Sequence, residues 1–595
     1  MAFKNYILVC GGTGCESSKS DLIYKNLIAE AEAQGVKDQV QVIKTGCFGF
    51  CEQGPIVKVL PEDSFYVQVK PEDAKEIISE HVIKGREIQR LQYGHTVRKP
   101  YEEVEDIQFY NKQMRIVLRN CGSIDPENID EYIARDGYKA LEKALFEMTP
   151  DDIINELKTA GLRGRGGAGF PTWMKWNFTK QQDSDEKYVV CNADEGDPGA
   201  YMDRSTLEGD PHAVLEAMTI CGKAVGAHQG KIYIRAEYPL AIHRLEVAME
   251  QAREYGLLGK NILGSGFDYD IEIRLGAGAF VCGEETALLQ SIEGHRGMPL
   301  PRPPFPAVKG LWGKPTVINN VETWANVAQI IRNGGDWFNK IGTDDSHGTK
   351  VFALTGKICN SGLVEVPMGT TLREIVYDIG GGIAHGKNFK AVQTGGPSGG
   401  VITAADLDTP IDFGGLMKIG SMMGSGGMIV MDEDDCIVDV AKFYLNFTVD
   451  ESCGKCAPCR IGGKSLCNIL EKITSGKGTD EDIVRIKEIA LAMQKGSLCA
   501  LGQTAPNPVL SSLKYFPEEY EAHIRDKRCP SGKCKKLISY QIDPTKCIGC
   551  TACARKCPVG AIHGEVRKPH QINTQVCIKC GVCKATCKFG AIGIK

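Results

Sequence analysis

The stretch CIGCTACARKCP, residues 547–558, returns as CIKCGVCKATCK, residues 577–588. Both copies carry the spacing Cys-x2-Cys-x2-Cys-x3-Cys. Three thiolates at that spacing converge on one metal–sulfur cube, and the following turn carries the fourth away to the other copy's site. Cys547, Cys550, Cys553 and Cys587 are therefore assigned to one 4Fe–4S cluster, and Cys577, Cys580, Cys583 and Cys557 to a second. Idle core cysteines would have no reason to repeat this pattern, so the C-terminus reads as a two-cluster iron–sulfur module.

Working outward, the chain holds 25 cysteines, of which fifteen follow residue 450. ESCGKCAPCR supplies Cys453, Cys456 and Cys459, and Cys499 follows in GSLCALG. Three close thiolates and a distant one suit a further 4Fe–4S cluster closed by a helical excursion over 460–497, although zinc uses the same donors. His523, Cys529 and Cys534 lie just before the doubled motif, and Cys467 lies on the helix after the third motif. One imidazole and three thiolates make a tetrahedral zinc set that would staple the tail to the domain before it. Cys121, Cys191, Cys221, Cys282, Cys359 and Cys436 read as small buried hydrophobes.

At the N-terminus stand Cys10-x4-Cys15 and Cys47-x3-Cys51. Between them run a strand (6–9), an amphipathic helix (20–34) and a strand (40–45); short strands near 56–60 and 65–69 and a helix from Pro71 follow. Alternating elements with cysteines at loop ends predict a small thioredoxin-like α/β domain. Two thiolate pairs on adjacent loops suit a 2Fe–2S cluster, with a redox disulfide as the rival reading.

Composition narrows the class. The 595 residues allow several domains; 42% apolar and 24% charged residues are ordinary for a folded soluble chain. A net charge of −5 makes no case for nucleic-acid binding. No apolar run is long enough to span a membrane, and MAFKNYILVCGG is too short in its apolar part for a signal peptide. A cytoplasmic metal-cluster protein is expected over a secreted disulfide protein.

The middle of the chain is rich in glycine. AGLRGRGGAGFPTWMKW contains Gly164-x-Gly166-x-x-Gly169, but a helical pattern (150–160) precedes it, so the context is wrong for a Rossmann unit. Its glycines would still let backbone N–H groups approach a phosphate, with Arg163, Arg165 and Lys175 supplying charge. VVCNADEGDPGA adds Asn192, Asp194, Glu195 and Asp197; GAGAFVCGEETALL adds Glu284 and Glu285; PRPPFPAVKGLWGKPTVINNVET adds Phe305, Asn319 and Asn320. Phosphate donors, amides, aromatic faces and carboxylates are what a flavin or dinucleotide site requires, although each piece alone also reads as a turn or a cap.

Five of these strings, GLRGRGGAGFPT, CNADEGDPG, CGEETALL, PTVINNVET and ESCGKCAPCR, closely resemble in order the flavin- and NADH-binding subunit of respiratory complex I and its relatives. With a thioredoxin-like domain before them and a ferredoxin domain after, the whole layout resembles the beta (diaphorase) subunit of cytosolic multimeric iron–iron hydrogenases, including electron-bifurcating and NADP-reducing types. Related subunits serve NAD-dependent formate dehydrogenases. The resemblance implies a thioredoxin-like 2Fe–2S domain (1–115), an α/β FMN/NAD-binding domain (116–345), a β-grasp module (346–433), a helical bundle with a 4Fe–4S cluster (434–525) and a two-cluster ferredoxin domain (526–595).

It further implies that FMN is cradled by Gly164, Arg165, Gly166, Lys175, Asn192, Asp194, Gly283, Glu284, Asn319 and Asn320. The nicotinamide would stack near Phe170, Phe178 and Phe305, with Glu195, Asp197 and Glu285 lining its site. Cys453, Cys456, Cys459 and Cys499 become a 4Fe–4S set. The expected cofactors are thus FMN, NAD(H), three 4Fe–4S clusters, one 2Fe–2S cluster and a zinc ion. Trp173 stands where the family usually has glycine, and Phe280 where tyrosine is common, so packing near them is expected to differ.

A nicotinamide gives hydride while a cluster takes single electrons, and flavin does both, so the expected activity is that of an NAD(H)–FMN oxidoreductase. Carboxylates near the adenosine ribose, Asp197 above all, would repel a 2′-phosphate and favour NAD. Residues 526–595 carry 14 Lys and Arg against 3 Asp and Glu, a basic excess suited to docking an acidic ferredoxin or a partner subunit. A hydrogenase catalytic subunit and a small 2Fe–2S subunit are the other expected partners, since no hydrogen-activating motif occurs here. An equivalent formate dehydrogenase subunit and a non-catalytic electron connector are the alternatives.

Overall fold

A computed structural model describes residues 3–94 and 107–594; residues 95–106, inside the expected first domain, and Lys595 of the basic tail lie outside the described residues. The chain divides into two compact units, residues 1–431 with 498–501, and residues 432–497 with 502–595.

In the first unit, β1 (Asn5–Cys10) pairs in parallel with β2 (Val40–Thr45) and antiparallel with β3 (Val57–Leu60), which pairs with β4 (Ser64–Tyr66), in the order β2-β1-β3-β4. Helix Ser20–Ala33 crosses over between β1 and β2, burying Ile23, Leu27 and Ala31 at helical spacing. Cys10 ends β1, Cys15 lies in the short helix Thr13–Ser17 that follows it, and Cys47 sits in the loop beyond the C-terminal end of β2.

Next comes a four-stranded parallel sheet: β5 (Tyr188–Ala193), β6 (Gln229–Arg235), β7 (Asp270–Gly276) and β8 (Thr316–Asn320), ordered β7-β6-β5-β8. Its central strand β5, YVVCNA, is almost continuously buried, as a strand covered on both faces must be. Helices Pro211–Val225 and Pro239–Glu254 make the crossovers to β6 and β7. Chain order runs outward from β5 to β7, then returns to place β8 on the other flank of β5. The switch point of the sheet therefore lies between β5 and β8, and in open parallel sheets the crevice beyond the carboxyl ends at that point is where ligands bind.

Helix Pro150–Ala160 leads into the glycine-rich loop. A Thr149–Asp152 capping box and Pro150 start it, and Gly161 at φ 64° stops it. After the parallel sheet, a ribbon of β9 (Gly342–Thr343) and β10 (Ser346–His347) precedes a mixed five-stranded sheet. That sheet comprises β11 (Thr349–Gly356), β12 (Gly362–Pro367), β13 (Phe389–Thr394), β14 (Val401–Thr403) and β15 (Gly427–Asp432), in the order β12-β11-β15-β13-β14.

The second unit packs helices Ile437–Asp450, Gly463–Thr474, Asp480–Gly496, Asn507–Tyr515 and Pro517–Ile524 around Leu445, Leu466, Leu470, Ile486 and Val509. It ends in two short antiparallel pairs: β16 (Tyr540–Ile542) with β19 (Ile592–Ile594), and β17 (Ile562–His563) with β18 (Gln571–Ile572). Short helices Ala552–Lys556 and Val582–Thr586 carry the third cysteine of each triplet, Cys553 and Cys583. Among the described residues no helix is long and apolar enough to cross a membrane.

Candidate functional site

At the switch point Asn192 of β5 stands directly opposite Asn320 of β8. Asn192 donates from Nδ2 to the Gly283 carbonyl (2.9 Å) and accepts the Asp194 N–H at Oδ1 (3.0 Å), joining the CNADEGDPG and CGEE loops. A Cβ on Gly283 would lie 3.5 Å from the Asp194 carbonyl, and one on Gly166 would lie 3.4 Å from Asn320 Cβ. Lys175 reaches the same edge, donating to the Ile318 carbonyl (3.2 Å) and Glu285 Oε2 (3.4 Å). Glycine backbone, an ammonium and amides thus ring the crevice, a donor set that fits a phosphorylated flavin.

Several residues read from the sequence as ligands also serve the fold. Arg165 is fully buried, and its guanidinium donates to the carbonyls of Arg163 (2.9 Å), Thr349 (3.0 Å) and His347 (2.6 Å). Burial lowers its pKa to about 10, so it stays charged at neutral pH. Its side chain braces the glycine loop against the ribbon and the mixed sheet, leaving only backbone to face a ligand. Glu284 caps helix Glu285–Ile292, its Oε2 accepting the N–H groups of Thr286 (3.0 Å) and Ala287 (2.9 Å). Asn320 caps helix Val321–Asn333 through Thr323 N–H (3.2 Å). The Asn319 amide is taken up by the Ile318 carbonyl (3.0 Å) and Trp176 Nε1 (3.1 Å).

Phe170 in the glycine-rich loop, Phe178 on helix Thr172–Lys180 and Phe305 beside Arg302 are 42%, 41% and 54% exposed, an unusual state for three phenylalanines. Arg302, which no sequence motif singles out, binds Glu285 Oε1 at 2.6 Å beside Phe305. Glu195 is buried and accepts the N–H groups of Asp203 and Arg204 (both 3.0 Å) at the start of helix Met202–Gly209. Burial lifts its acid to about 6 against those hydrogen bonds. Burial likewise lifts Asp197 to about 6, although Ser425 donates a hydrogen bond to it. Trp173 packs on the domain core under Lys158, and Phe280 lies by Gly196.

In the thioredoxin-like domain, the Cys10 thiol neighbours Cys15 and Cys47, and Cys47 neighbours Cys51. Gly12 and Gly54 permit this convergence: a Cβ would meet Cys47 Cβ at 2.8 Å in the first case and Cys15 Sγ at 2.7 Å in the second. Four converging thiols suit a two-iron centre. The flavin domain fixes the loop that bears them. Glu208 accepts the Thr13 N–H (3.0 Å) and hydroxyl, and the buried Arg244 donates to the Gly11 carbonyl (3.1 Å).

In the second unit, Cys453 and Cys456 lie near Cys459, whose sulfur meets Ser452 Oγ at 3.2 Å. Cys499 is buried within 498–501, the stretch grouped with the first unit. In the terminal domain Cys557 lines one recess together with Cys577, Cys580 and Cys583, the crossed set that the doubled spacing implies. Backbone N–H groups of Ala561, Lys579 and His570 point at the sulfurs of Cys557 (3.2 Å), Cys577 (3.4 Å) and Cys547 (3.5 Å).

The fourth ligand expected for zinc is corrected. His523, Cys529 and Cys534 meet Cys436, not Cys467, and the four ligand atoms lie within 4.8 Å of one another, all four residues buried. His523 Nε2 is 3.4 Å from Cys436 Sγ and 3.3 Å from Cys534 Sγ. Its Nδ1 donates to the Glu519 carbonyl (2.7 Å), which leaves Nε2 as the ligand atom. Cys467 is held in the core by the inner face of helix Gly463–Thr474, whereas Cys436 caps the start of helix Ile437–Asp450. No spacing motif links residue 436 to 523, so only the fold reveals the set.

A parallel-sheet crevice and several converging thiol sets in one chain define a flavin and iron–sulfur electron carrier. Family models agree domain by domain: a thioredoxin-like [2Fe-2S] ferredoxin over residues 2–81, the Nuo51 FMN-binding domain over 157–329, the NADH-ubiquinone oxidoreductase-F iron–sulfur binding region over 439–523 and a 4Fe–4S binding domain over 540–563. The chain belongs to the family of diaphorase, FMN-binding subunits related to the flavin-binding component of complex I. It is 61% identical over 459 residues to NADP-reducing hydrogenase subunit HndC of Solidesulfovibrio fructosivorans, covering 77% of this chain and 93% of that one. It is 46% identical to the F 2 component of NADH-quinone oxidoreductase of Rhizobium meliloti, covering 70% and 99%. The crystal structure of NAD+-reducing [NiFe]-hydrogenase in the H2-reduced state superposes with a TM-score of 0.63 at 29% identity, over 88% of this chain and 85% of that chain.

Proposed function

We propose that the chain is the NAD(H)–FMN oxidoreductase subunit of a cytoplasmic iron–iron hydrogenase complex, exchanging hydride with NAD and single electrons with its clusters, with ferredoxin as a further redox partner. The observation that carries the flavin reading is the meeting of Asn192 and Asn320 at the switch point, ringed by Gly166, Gly283 and Lys175. Flavin, when bound, supplies the conversion between a hydride pair and single electrons. The chain supplies the rest: Lys175 and the glycine-loop backbone hold phosphate, Phe170, Phe178 and Phe305 offer stacking faces, and Glu195 and Asp197 place negative charge where a 2′-phosphate would be unwelcome.

Cys10, Cys15, Cys47 and Cys51 would hold the 2Fe–2S cluster. Cys453, Cys456 and Cys459 would hold a 4Fe–4S cluster, with Cys499 as fourth ligand on the strength of the sequence spacing. The crossed sets Cys547, Cys550, Cys553, Cys587 and Cys577, Cys580, Cys583, Cys557 would hold the other two. Cys436, His523, Cys529 and Cys534 form a zinc set. The basic tail is suited to an acidic ferredoxin, and hydrogen chemistry falls to a separate catalytic subunit with a small 2Fe–2S subunit beside it. Similarity to HndC favours the hydrogenase complex over a formate dehydrogenase.

The test is an anaerobic titration of the metal-replete chain with NADH and, separately, NADPH, following flavin bleaching and cluster absorbance. Stoichiometric flavin reduction by one nucleotide, with electrons passing to the clusters, is expected. A chain that takes up no FMN and is reduced by neither nucleotide would be only a connector.

A further inference from the structure

Arg115, in the segment that leads into the flavin domain, has a half-buried guanidinium. Its Nη2 donates to the Cys121 carbonyl (3.3 Å), its Cζ lies 5.8 Å from the Tyr110 ring centre, and its Nε is buried with no hydrogen-bond partner. Among the described residues no carboxylate lies within ion-pair distance of it. The buried carboxylate that meets this segment, Glu365, is already filled by the N–H groups of Ile116, Val117 and Leu118 (each 2.9 Å) and the Thr349 hydroxyl (2.5 Å). A cation removed from water without a partner is costly, so such a group is retained where an anion faces it.

An anion at the Cys47 sulfur would lie on the other side of Gly49. Arg115 Nη2 lies 4.0 Å from where a Cβ on Gly49 would sit, and the Gly49 N–H donates to Cys47 Sγ at 3.3 Å. The other cations at this loop are taken: Lys44 pairs with Glu16 (2.5 Å) and Asp21 (3.3 Å), and Arg244 with Glu127 (3.4 Å) and backbone carbonyls. A 2Fe–2S centre with four thiolates carries about −2 when oxidised and about −3 when reduced. Reduction therefore adds negative charge beside a cation that has no other counter-ion among the described residues.

Resting on the 2Fe–2S reading of Cys10, Cys15, Cys47 and Cys51, we propose that Arg115 is the counter-ion of that centre, a positioning residue in the link to the flavin domain that raises the centre's reduction potential. The 2Fe–2S centre would then owe part of its electron affinity to a residue beyond the β2-β1-β3-β4 sheet that bears its thiols, which helps the centre accept an electron from the flavin side.

The test is an EPR-monitored redox titration of the full, metal-replete chain, comparing wild type, R115Q and R115K. At the wild-type midpoint, R115Q is expected to change the reduced-to-oxidised ratio about tenfold toward oxidised, equivalent to about 59 mV for one electron. R115K, which keeps the charge, should stay near the wild-type ratio, and the 4Fe–4S signals should not move in either variant. An R115Q midpoint equal to wild type, or equal shifts in both variants, overturns the proposal. Should R115Q lose the centre, R115K decides: retention at the wild-type potential supports a charge requirement, and loss makes the guanidinium a shape element and overturns it. Absence of any 2Fe–2S signal from iron-replete wild type would instead overturn the cluster reading on which the proposal rests.

Discussion

The cysteine sets and the flavin crevice use their residues in opposite ways. In the terminal domain, the cysteines that line the recess are those the spacing picks out, because a thiolate acts through its own side chain and a short loop dictates where three of them point. In the crevice, Arg165 is wholly a brace, and Glu284 and Asn320 spend one side-chain oxygen each on a helix cap, so less of each side chain is left for a ligand than the sequence suggests. Metal ligation is written in side chains at fixed spacing. Phosphate and flavin recognition is written in backbone conformation, which many side chains only support.

The largest expected effect concerns the one metal set whose spacing misled. C436A should abolish a bound zinc equivalent, measured by elemental analysis, and lower the melting temperature of the second unit by about 10 °C or more, since structural zinc contributes many kcal/mol to folding. C467A should leave the zinc content unchanged and cost only about 1 kcal/mol, as expected for a small core truncation. Equal zinc loss in both variants would break the contrast and restore Cys467 to the site.

Within the crevice, bracing and binding separate by two substitutions. R165Q removes three charged hydrogen bonds to carbonyls in a fully buried position, and should cost about 3 kcal/mol of stability, seen in denaturant unfolding, together with flavin affinity. K175Q touches a half-buried side chain at the crevice edge. It should weaken FMN binding about tenfold, or about 1.4 kcal/mol, with the unfolding midpoint little changed. If the two variants lose stability alike, Lys175 is a brace as well.

The sequence was legible wherever function needs a local pattern. β1, the 20–33 helix and β2 follow from alternating and helical apolar spacing, and helix Pro150–Ala160 from its own caps. Illegible were contacts made by distant segments. Cys436 joins His523 from 87 residues away, Arg302 reaches Glu285 across a loop, and Glu208 of the flavin domain holds Thr13. Nothing local to such residues distinguishes them from buried hydrophobes or solvated charges. Asn320 illustrates the intermediate case: an Asn just before Val-Glu-Thr reads equally as ligand or N-cap, and the fold makes it a cap while setting it at the crevice.

The smallest expected effect concerns Glu195 and Asp197, and it sharpens the contrast because in the proposed reading side-chain charge itself would be the reader. Burial raises Glu195 and Asp197 to about 6, so both are neutral well below that pH and ionised well above it. If, as proposed, these two carboxylates face the adenosine ribose, their ionisation would repel a 2′-phosphate, and preference for NADH over NADPH in kcat/KM should grow about tenfold between pH 5 and pH 8. The 2′-phosphate also loses charge near pH 6, and its titration alone would give part of that trend. D197N separates the two sources. Removing the carboxylate should shrink the preference at pH 8 while leaving the ratio at pH 5 near wild type, because there Asp197 is already protonated. A D197N ratio that matches wild type at both pH values would assign the trend to the nucleotide and leave Asp197, held by Ser425, as one more brace.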